Sequence, residues 1–385
     1  MDIDKLEEQA EAFYQNVANW EESALERIGK RILKIKKMNI SDIKALNNIA
    51  DVNGDFKIIM QELAEITNLN ISEITKIYSD AIEELHLKNK PLYDYRDKKF
   101  VPFSENKTLQ NIVLSIAKTT ASEMVNFTKT SLIGFSDYSG KNFTNFKKAY
   151  TDVLDKAVVQ VSSGSTDFYK AMRDSIVELG GSGVKVNYAS GVTRRLDTVV
   201  RQTLLYGVKQ ISNEYFENIG KELNCDGIEI DWHSNPRPSH EYMQGKQYAL
   251  GKAKTVKGVR YESADRPLES LQDYGCLHYK TPIILGVSEP RYSKQQLDEL
   301  NKKNAKKYNI NGKEVSGYEA TQMLRRLETN VRNQKSTRAL ARAAGDNTLS
   351  KECTQKIKAY RQKYDEICEI TGIKPNLKRM SVPRQ

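Results

Sequence analysis

A chain of 385 residues with 39% hydrophobic and 29% charged side chains can bury a sizeable core, and its sparse glycine and proline exclude wholesale disorder. No apolar run approaches the roughly 20 residues that span a bilayer, and the acidic start Met1-Asp-Ile-Asp-Lys-Leu-Glu-Glu lacks the apolar stretch of a signal peptide. Cys225, Cys276, Cys353 and Cys368 are too few for a disulfide scaffold and read as reduced thiols, so the chain is expected to be made and kept in a cytoplasm.

The net charge of +10 is unevenly placed. Residues 1–100 carry 15 Lys/Arg against 19 Asp/Glu, residues 101–290 carry 23 against 21, and residues 291–385 carry 22 against 10. The basic character therefore belongs to the tail end. Two readings follow, a polyanion or acidic protein partner and a solvated helical face.

Helical periodicity dominates the first half. Leu6, Ala10, Phe13, Val17 and Trp20 recur at spacings of three and four, as do Ile71, Ile74, Tyr78, Ile82 and Leu85. Asn70 and Glu73 have the spacing of an N-terminal cap. The Pro- and Tyr-containing stretch 90–104 should break the helices. Further helices are expected over about 108–130, 145–161 and 165–179, the last two after a turn at Ser139-Gly140. Gly180-Gly-Ser-Gly-Val184 lacks the Lys-Ser/Thr of a phosphate-binding loop and reads as a linker. A long amphipathic helix should follow over 191–223, burying Leu196, Val200 and Leu204.

The texture then changes. Residues 227–233 alternate apolar and polar, the pattern of a half-buried strand, and Thr281 to Val287 reads as a buried one. The stretch to Pro290 looks like a small α+β module. Beyond it, Ser293 with Gln296 and Ser316 with Glu319 form capping-box patterns, and Asn311-Gly312 marks a hairpin. The last long helix should run over 316–344 and carry Arg325, Arg326, Arg332, Lys335, Arg338 and Arg342, with Leu324, Leu327 and Val331 on its packing side. The expected fold is mainly α with a small α+β module. Its expected regions are 1–185 (helical), 186–292 (long helix plus module) and 293–385 (basic and helical).

Three of the four histidines, His233, His240 and His278, fall in the module beside Cys276. Together they offer the four ligands of a tetrahedral zinc, although the spacing matches no standard zinc motif. The alternative is that the histidines hydrogen-bond the loop and Cys276 fills the core. Signatures of serine hydrolases, zinc proteases, calcium loops and zinc deaminases are absent from the sequence. A Cys276–His278 nucleophile and base is disfavoured if the two lie in a strand, where alternate side chains point to opposite faces.

At the module the chain resembles a known family. Asp231-Trp-His-Ser-Asn-Pro-Arg-Pro-Ser-His-Glu-Tyr-Met-Gln-Gly-Lys246 looks like the His…Arg-Pro-Ser-His…Gln-Gly-Lys signature of phage minor capsid proteins of the minor capsid protein 2 group, relatives of the Mu F-like head morphogenesis proteins. His233, Arg237, His240, Gly245, Lys246, Cys276 and His278 are the matching positions. Gly275-Cys-Leu-His278 with Gly286-Val-Ser-Glu-Pro-Arg-Tyr292, Asn311-Gly-Lys-Glu-Val-Ser-Gly-Tyr-Glu-Ala-Thr-Gln322, and the helix from Ser190 to Arg201 also fit in order. One departure is Gly-Cys-Leu-His where the family usually has Asn-Cys-Arg-His.

The resemblance implies a structural component of the virion acting in head morphogenesis, made in the bacterial host. It implies portal and other head proteins as partners, with non-specific contact to packaged double-stranded DNA, and Arg325, Arg326, Arg332, Lys335, Arg338 and Arg342 of the basic helix are expected to meet either that DNA or an acidic portal surface. No catalytic residue, small-molecule substrate or membrane contact is expected, and no cofactor other than a structural zinc on the His/Cys set. The competing readings are a metal-dependent enzyme on His233, His240, Cys276 and His278, and a plain non-specific DNA-binding protein.

Overall fold

The computed structural model describes residues 3–38, 45, 48, 51–67, 71–127, 132–137, 142–272, 276 and 278–380. In chain order its elements begin with α1 (Ile3–Lys36), α2 (Asn53–Thr67), α3 (Ile71–Lys88), α4 (Lys90–Tyr95), α5 (Lys107–Phe127), β1 (Ile133–Ser136), β2 (Phe143–Asn145), α6 (Phe146–Ser162), α7 (Phe168–Ser182), β3 (Lys185–Asn187), β4 (Thr193–Arg195) and α8 (Leu196–Glu222). Then come β5 (Gly227–Ile230), β6 (Gln247–Ala249), β7 (Lys254–Val256), β8 (Val259–Tyr261), α9 (Asp265–Ser270), β9 (Lys280–Ile283), α10 (Lys294–Asn304), β10 (Lys307–Ile310), β11 (Lys313–Ser316), α11 (Gly317–Ala343) and α12 (Asn347–Thr371). The fold is mainly α with a small α+β module. No helix among the described residues is long and apolar enough to cross a membrane.

The chain forms two compact units, each drawn from three stretches. One comprises Met1–Gln9, Asn70–Thr120 and Gln202–Met323, and the other Ala10–Leu69, Ala121–Arg201 and Leu324–Gln385.

In the first unit the helical core forms around buried polar groups that satisfy one another. Tyr78 Oη lies 3.0 Å from Thr120 Oγ1 and donates to the Leu204 carbonyl at 3.1 Å. Gly207 permits this approach, because a Cβ there would collide with the Tyr78 ring and hydroxyl. His86, the lone histidine of the first half, is a core residue. Its ring nitrogens reach Tyr215 Oη at 3.2 Å and the Val101 carbonyl at 2.9 Å, and Phe100 stacks on it. Ile74, Tyr78, Ile82 and Leu85 are buried as their spacing suggests, but Ile71 is 41% exposed.

The second unit contains an antiparallel sheet in the order β2-β1-β3-β4 that the sequence pattern did not show. Its strands have three or four residues, too few for period-two alternation to stand out. The expected helix over 191–223 accordingly begins only at Leu196, because Thr193–Arg195 pairs with β3. Leu196, Val200 and Leu204 are buried as expected. The expected linker at Gly180 is also corrected: α7 continues through Ser182 before Gly183 turns out at φ 65°. Gly180 is glycine because a Cβ would strike the Thr337 backbone of α11.

A buried ion network runs through this unit. Arg195 donates to both oxygens of Glu21 at 3.0 Å, to Asp197 at 3.1 Å and to Asn333 at 2.8 Å. Ser336 donates to Glu21 at 3.0 Å, and Arg332 lies 3.4 Å from Asp197. Burial opposes the charge on Arg195, but Asp197 and Glu21 outweigh it and raise its pKa. Further along, Glu11 pairs with Arg201 at 3.6 Å and Arg379 at 3.5 Å, and Tyr364 donates to Glu328 at 3.2 Å.

Three predicted signals fall outside the described residues: the Asn70 cap, the Ser139-Gly140 turn and the Leu6 side chain. The chain between 90 and 104 does not stay irregular throughout, since α4 forms with Pro91 in its first turn, where a missing N–H costs nothing.

Removing one member of a buried ion set leaves uncompensated charge. Arg195→Met should therefore lower stability by about 3–5 kcal/mol, read as a reduced urea midpoint. Arg361→Met, at an exposed position, should change it by less than about 0.5 kcal/mol. Equal effects would remove the network's structural role.

Candidate functional site

The module is organised by β5, the middle strand of the antiparallel order β6-β5-β9. All four of its residues are buried, and it stops at Ile230, so the expected half-buried strand to His233 is corrected. The reason is that a middle strand with both neighbours present and both faces covered has no solvent side. The buried strand expected over 281–287 is likewise shorter, since β9 ends at Ile283. Phe216, Ile228, Ile230, Met243, Tyr248, Ala264, Leu271 and Cys276 form the core beneath.

Beyond β5 and before β9 the two strand ends stay tied. Asp231 accepts the Tyr279 N–H at 2.5 Å and donates its own N–H to the Tyr279 carbonyl at 3.2 Å. This brings His233 and His278 together, with ring centres 4.1 Å apart. The 3-10 turn Pro238–His240 then delivers His240, whose ring centre lies 5.4 Å from that of His278. Cys276 Sγ is 3.6 Å from His278 Nδ1. His240, Cys276 and His278 are all buried, and their ligand atoms lie within 4.8 Å of one another. His233 is half-buried and outside that group.

Gln244, 1% exposed, orients the cluster. Its Oε1 accepts the His233 backbone N–H at 3.3 Å and lies 3.2 Å from His278 Nε2. An oxygen already accepting from a backbone N–H must accept from the imidazole too, so His278 carries its proton on Nε2 and turns the Nδ1 lone pair to Cys276. The sequence pattern did not single Gln244 out; its place in the motif Met243-Gln-Gly-Lys246 was the available signal.

The other motif residues serve the fold. Gly245 sits at φ 69°, and a Cβ there would press on Leu297. Lys246 is exposed and donates to the Tyr242 carbonyl at 2.8 Å, away from the histidines. Arg237 is half-buried, and its charge acts on Cys276. Gly275 and Leu277 lie outside the described residues.

Cys276 and His278 do meet, with neither of them in a strand and Sγ 3.6 Å from Nδ1; the geometric objection to a nucleophile pair is thus removed. The electrostatics supply a different one. Burial, with His233, His240 and Lys209 nearby, pushes His278 down to about 2, and burial pushes the Cys276 thiol up. A neutral imidazole beside a protonated thiol is not the thiolate–imidazolium pair that such chemistry uses.

The expected basic helix is α11, with the Ser316–Glu319 capping box present in both directions. Arg325, Arg326 and Arg342 are exposed, and Arg338 is half-buried. Arg332 is corrected: it is 8% exposed, ion-paired with Asp197 and stacked 5.0 Å over the Tyr14 ring, so it has no phosphate-facing role. Lys335 is also turned inward, donating to the Met380 carbonyl. Exposed positive charge lies elsewhere too, at Lys302, Lys303, Lys306 and Lys307 in the first unit, and at Lys351, Lys356, Lys358, Arg361 and Lys363 on α12 in the second.

A helical protein with a His/Cys-bearing α+β module and a lysine-rich surface is a class defined by structure and surface charge, with no enzyme signature in its sequence. The phage minor capsid protein 2 profile matches residues 2–368, and the chain belongs to that family of phage structural proteins, components of the virion. No curated protein and no solved structure matches the chain.

Burial, with Arg361 and Arg338 nearby, lowers the Lys335 pKa from 10.5 to about 8. As pH falls from 10.5 toward 8 the unfolded chain takes a proton that the folded one does not, so the cost is complete below 8. Lys335→Met should therefore stabilise the protein at pH 7 by about 1 kcal/mol, after discounting the cost for solvent screening at this partly exposed site and subtracting about 1 kcal/mol for the lost hydrogen bond. The gain should fade as pH rises toward 10. Urea unfolding of both proteins at the two pH values checks the sign.

Proposed function

We propose that the protein is a non-enzymatic head component that acts at the portal during head morphogenesis and faces packaged double-stranded DNA. Membership of the minor capsid family supports the structural role. The observation that carries the finer reading is the net charge of 22 Lys/Arg against 10 Asp/Glu after residue 290, together with the exposure of its lysines. Lysine ammonium groups neutralise phosphate as point charges, and a phosphate contact carries no sequence information, which suits contact with any sequence.

Binding to unrelated duplexes should be of similar strength and should weaken steeply with salt, since each neutralised phosphate releases counterions. Replacing Lys302, Lys303, Lys306 and Lys307 with Gln should reduce the slope of log K against log salt by up to about 3.6, measured by fluorescence anisotropy. These side chains are exposed, so circular dichroism should be unchanged. Absence of DNA binding at low salt would remove the DNA contact. Failure to co-purify with the portal of the same phage would remove the portal contact.

A further inference from the structure

The structure assigns a zinc site to the module: we propose that His240, Cys276 and His278 bind one zinc ion, with His233 as the fourth ligand. This is independent of the portal and DNA reading.

The distances have the scale of tetrahedral zinc. With Zn–S near 2.3 Å and Zn–N near 2.05 Å, a sulfur and a nitrogen on one tetrahedral ion stand about 3.6 Å apart. Cys276 Sγ and His278 Nδ1 are 3.6 Å apart. Two imidazoles on such an ion have centres about 5 Å apart, and those of His240 and His278 are 5.4 Å apart. The outer contacts are also those of ligands. His278 gives Nε2–H to Gln244 and keeps Nδ1 for the ion. His233 Nδ1 lies 3.2 Å from the Ser234 carbonyl, to which it donates, so Nε2 is its ligating atom. His233 packs on His278 at 4.1 Å between ring centres, so a turn of its side chain brings Nε2 to the ion. Binding displaces the Cys276 thiol proton to solvent, leaving a thiolate on the metal. Four protein ligands close the sphere, which makes the ion structural and fits a virion component. It would pin the His233–His240 loop to the segment before β9.

The test is a titration of cobalt(II) into the chelator-treated full-length protein under reducing conditions. One equivalent should bind, with the intense visible bands of a tetrahedral ion and a thiolate-to-cobalt charge-transfer band in the near ultraviolet. Cys276→Ser should lose the charge-transfer band while circular dichroism shows the chain still folded. His233→Ala should weaken binding by about tenfold or more, and zinc should raise the Tm of the wild type. If the folded wild type shows no charge-transfer band, the proposal is overturned. It is equally overturned if the band survives Cys276→Ser, because Cys225, Cys353 or Cys368 would then be the ligand. Unchanged affinity in His233→Ala would overturn the four-ligand site.

Discussion

The second unit depends on one buried arginine. Arg195, at the end of β4, has 8% of its side chain exposed and holds two carboxylates, Glu21 of α1 and Asp197 at the start of α8. Water cannot substitute for either partner there, so each must stay in register. The constraint spreads: Asn333 of α11 accepts from Arg195, Ser336 of α11 donates to Glu21, Arg332 answers Asp197, and Gly183 must lack a Cβ because the guanidinium occupies that space. A strand, three helices and a glycine turn are thereby fixed by one side chain.

In the first unit the corresponding constraint is the shape of the loop after β5. Asn235 adopts a left-handed backbone at φ 52°, and its N–H is accepted by Asn304 at the end of α10. Gly317 opens α11 without a side chain, and the Asn235 amide fills that space. Trp232 donates to Asn301 at 3.3 Å. Two sequence motifs that lie some 80 residues apart, around 233–246 and 311–322, are therefore in contact. The glycines and asparagines of both are explained by backbone shape, while the histidines face the opposite task of converging on Cys276.

The tail shows how a charge count misleads without burial. α11 reads as an arginine-rich helix with an apolar stripe of Leu324, Leu327 and Val331. Its packing side is wider than that stripe, because Ser336, Thr337, Ala339, Leu340 and Ala341 are buried as well. Arg332 and Lys335 lie within this wider face and are consumed by internal partners. Lysines on α10, β10 and α12 hold much of the accessible charge instead.

Several features were determined by local sequence, since they depend on neighbours within a few residues. The helices follow from apolar spacing, the capping boxes at Ser293 and Ser316 from side-chain reach, and the hairpin from Asn311-Gly312, whose φ values are 53° and 76°. The family was legible for a similar reason, in four ordered motifs. Tertiary structure alone decided the rest. It built a sheet from strands too short to show periodicity, made Gly180 a helix contact instead of a linker, and buried Arg195, Arg332 and Glu21 together. It also brought Cys276 to His240, 36 positions earlier in the chain. Each of these depends on groups far apart in sequence, where spacing carries no information and only the packed chain sets the distance.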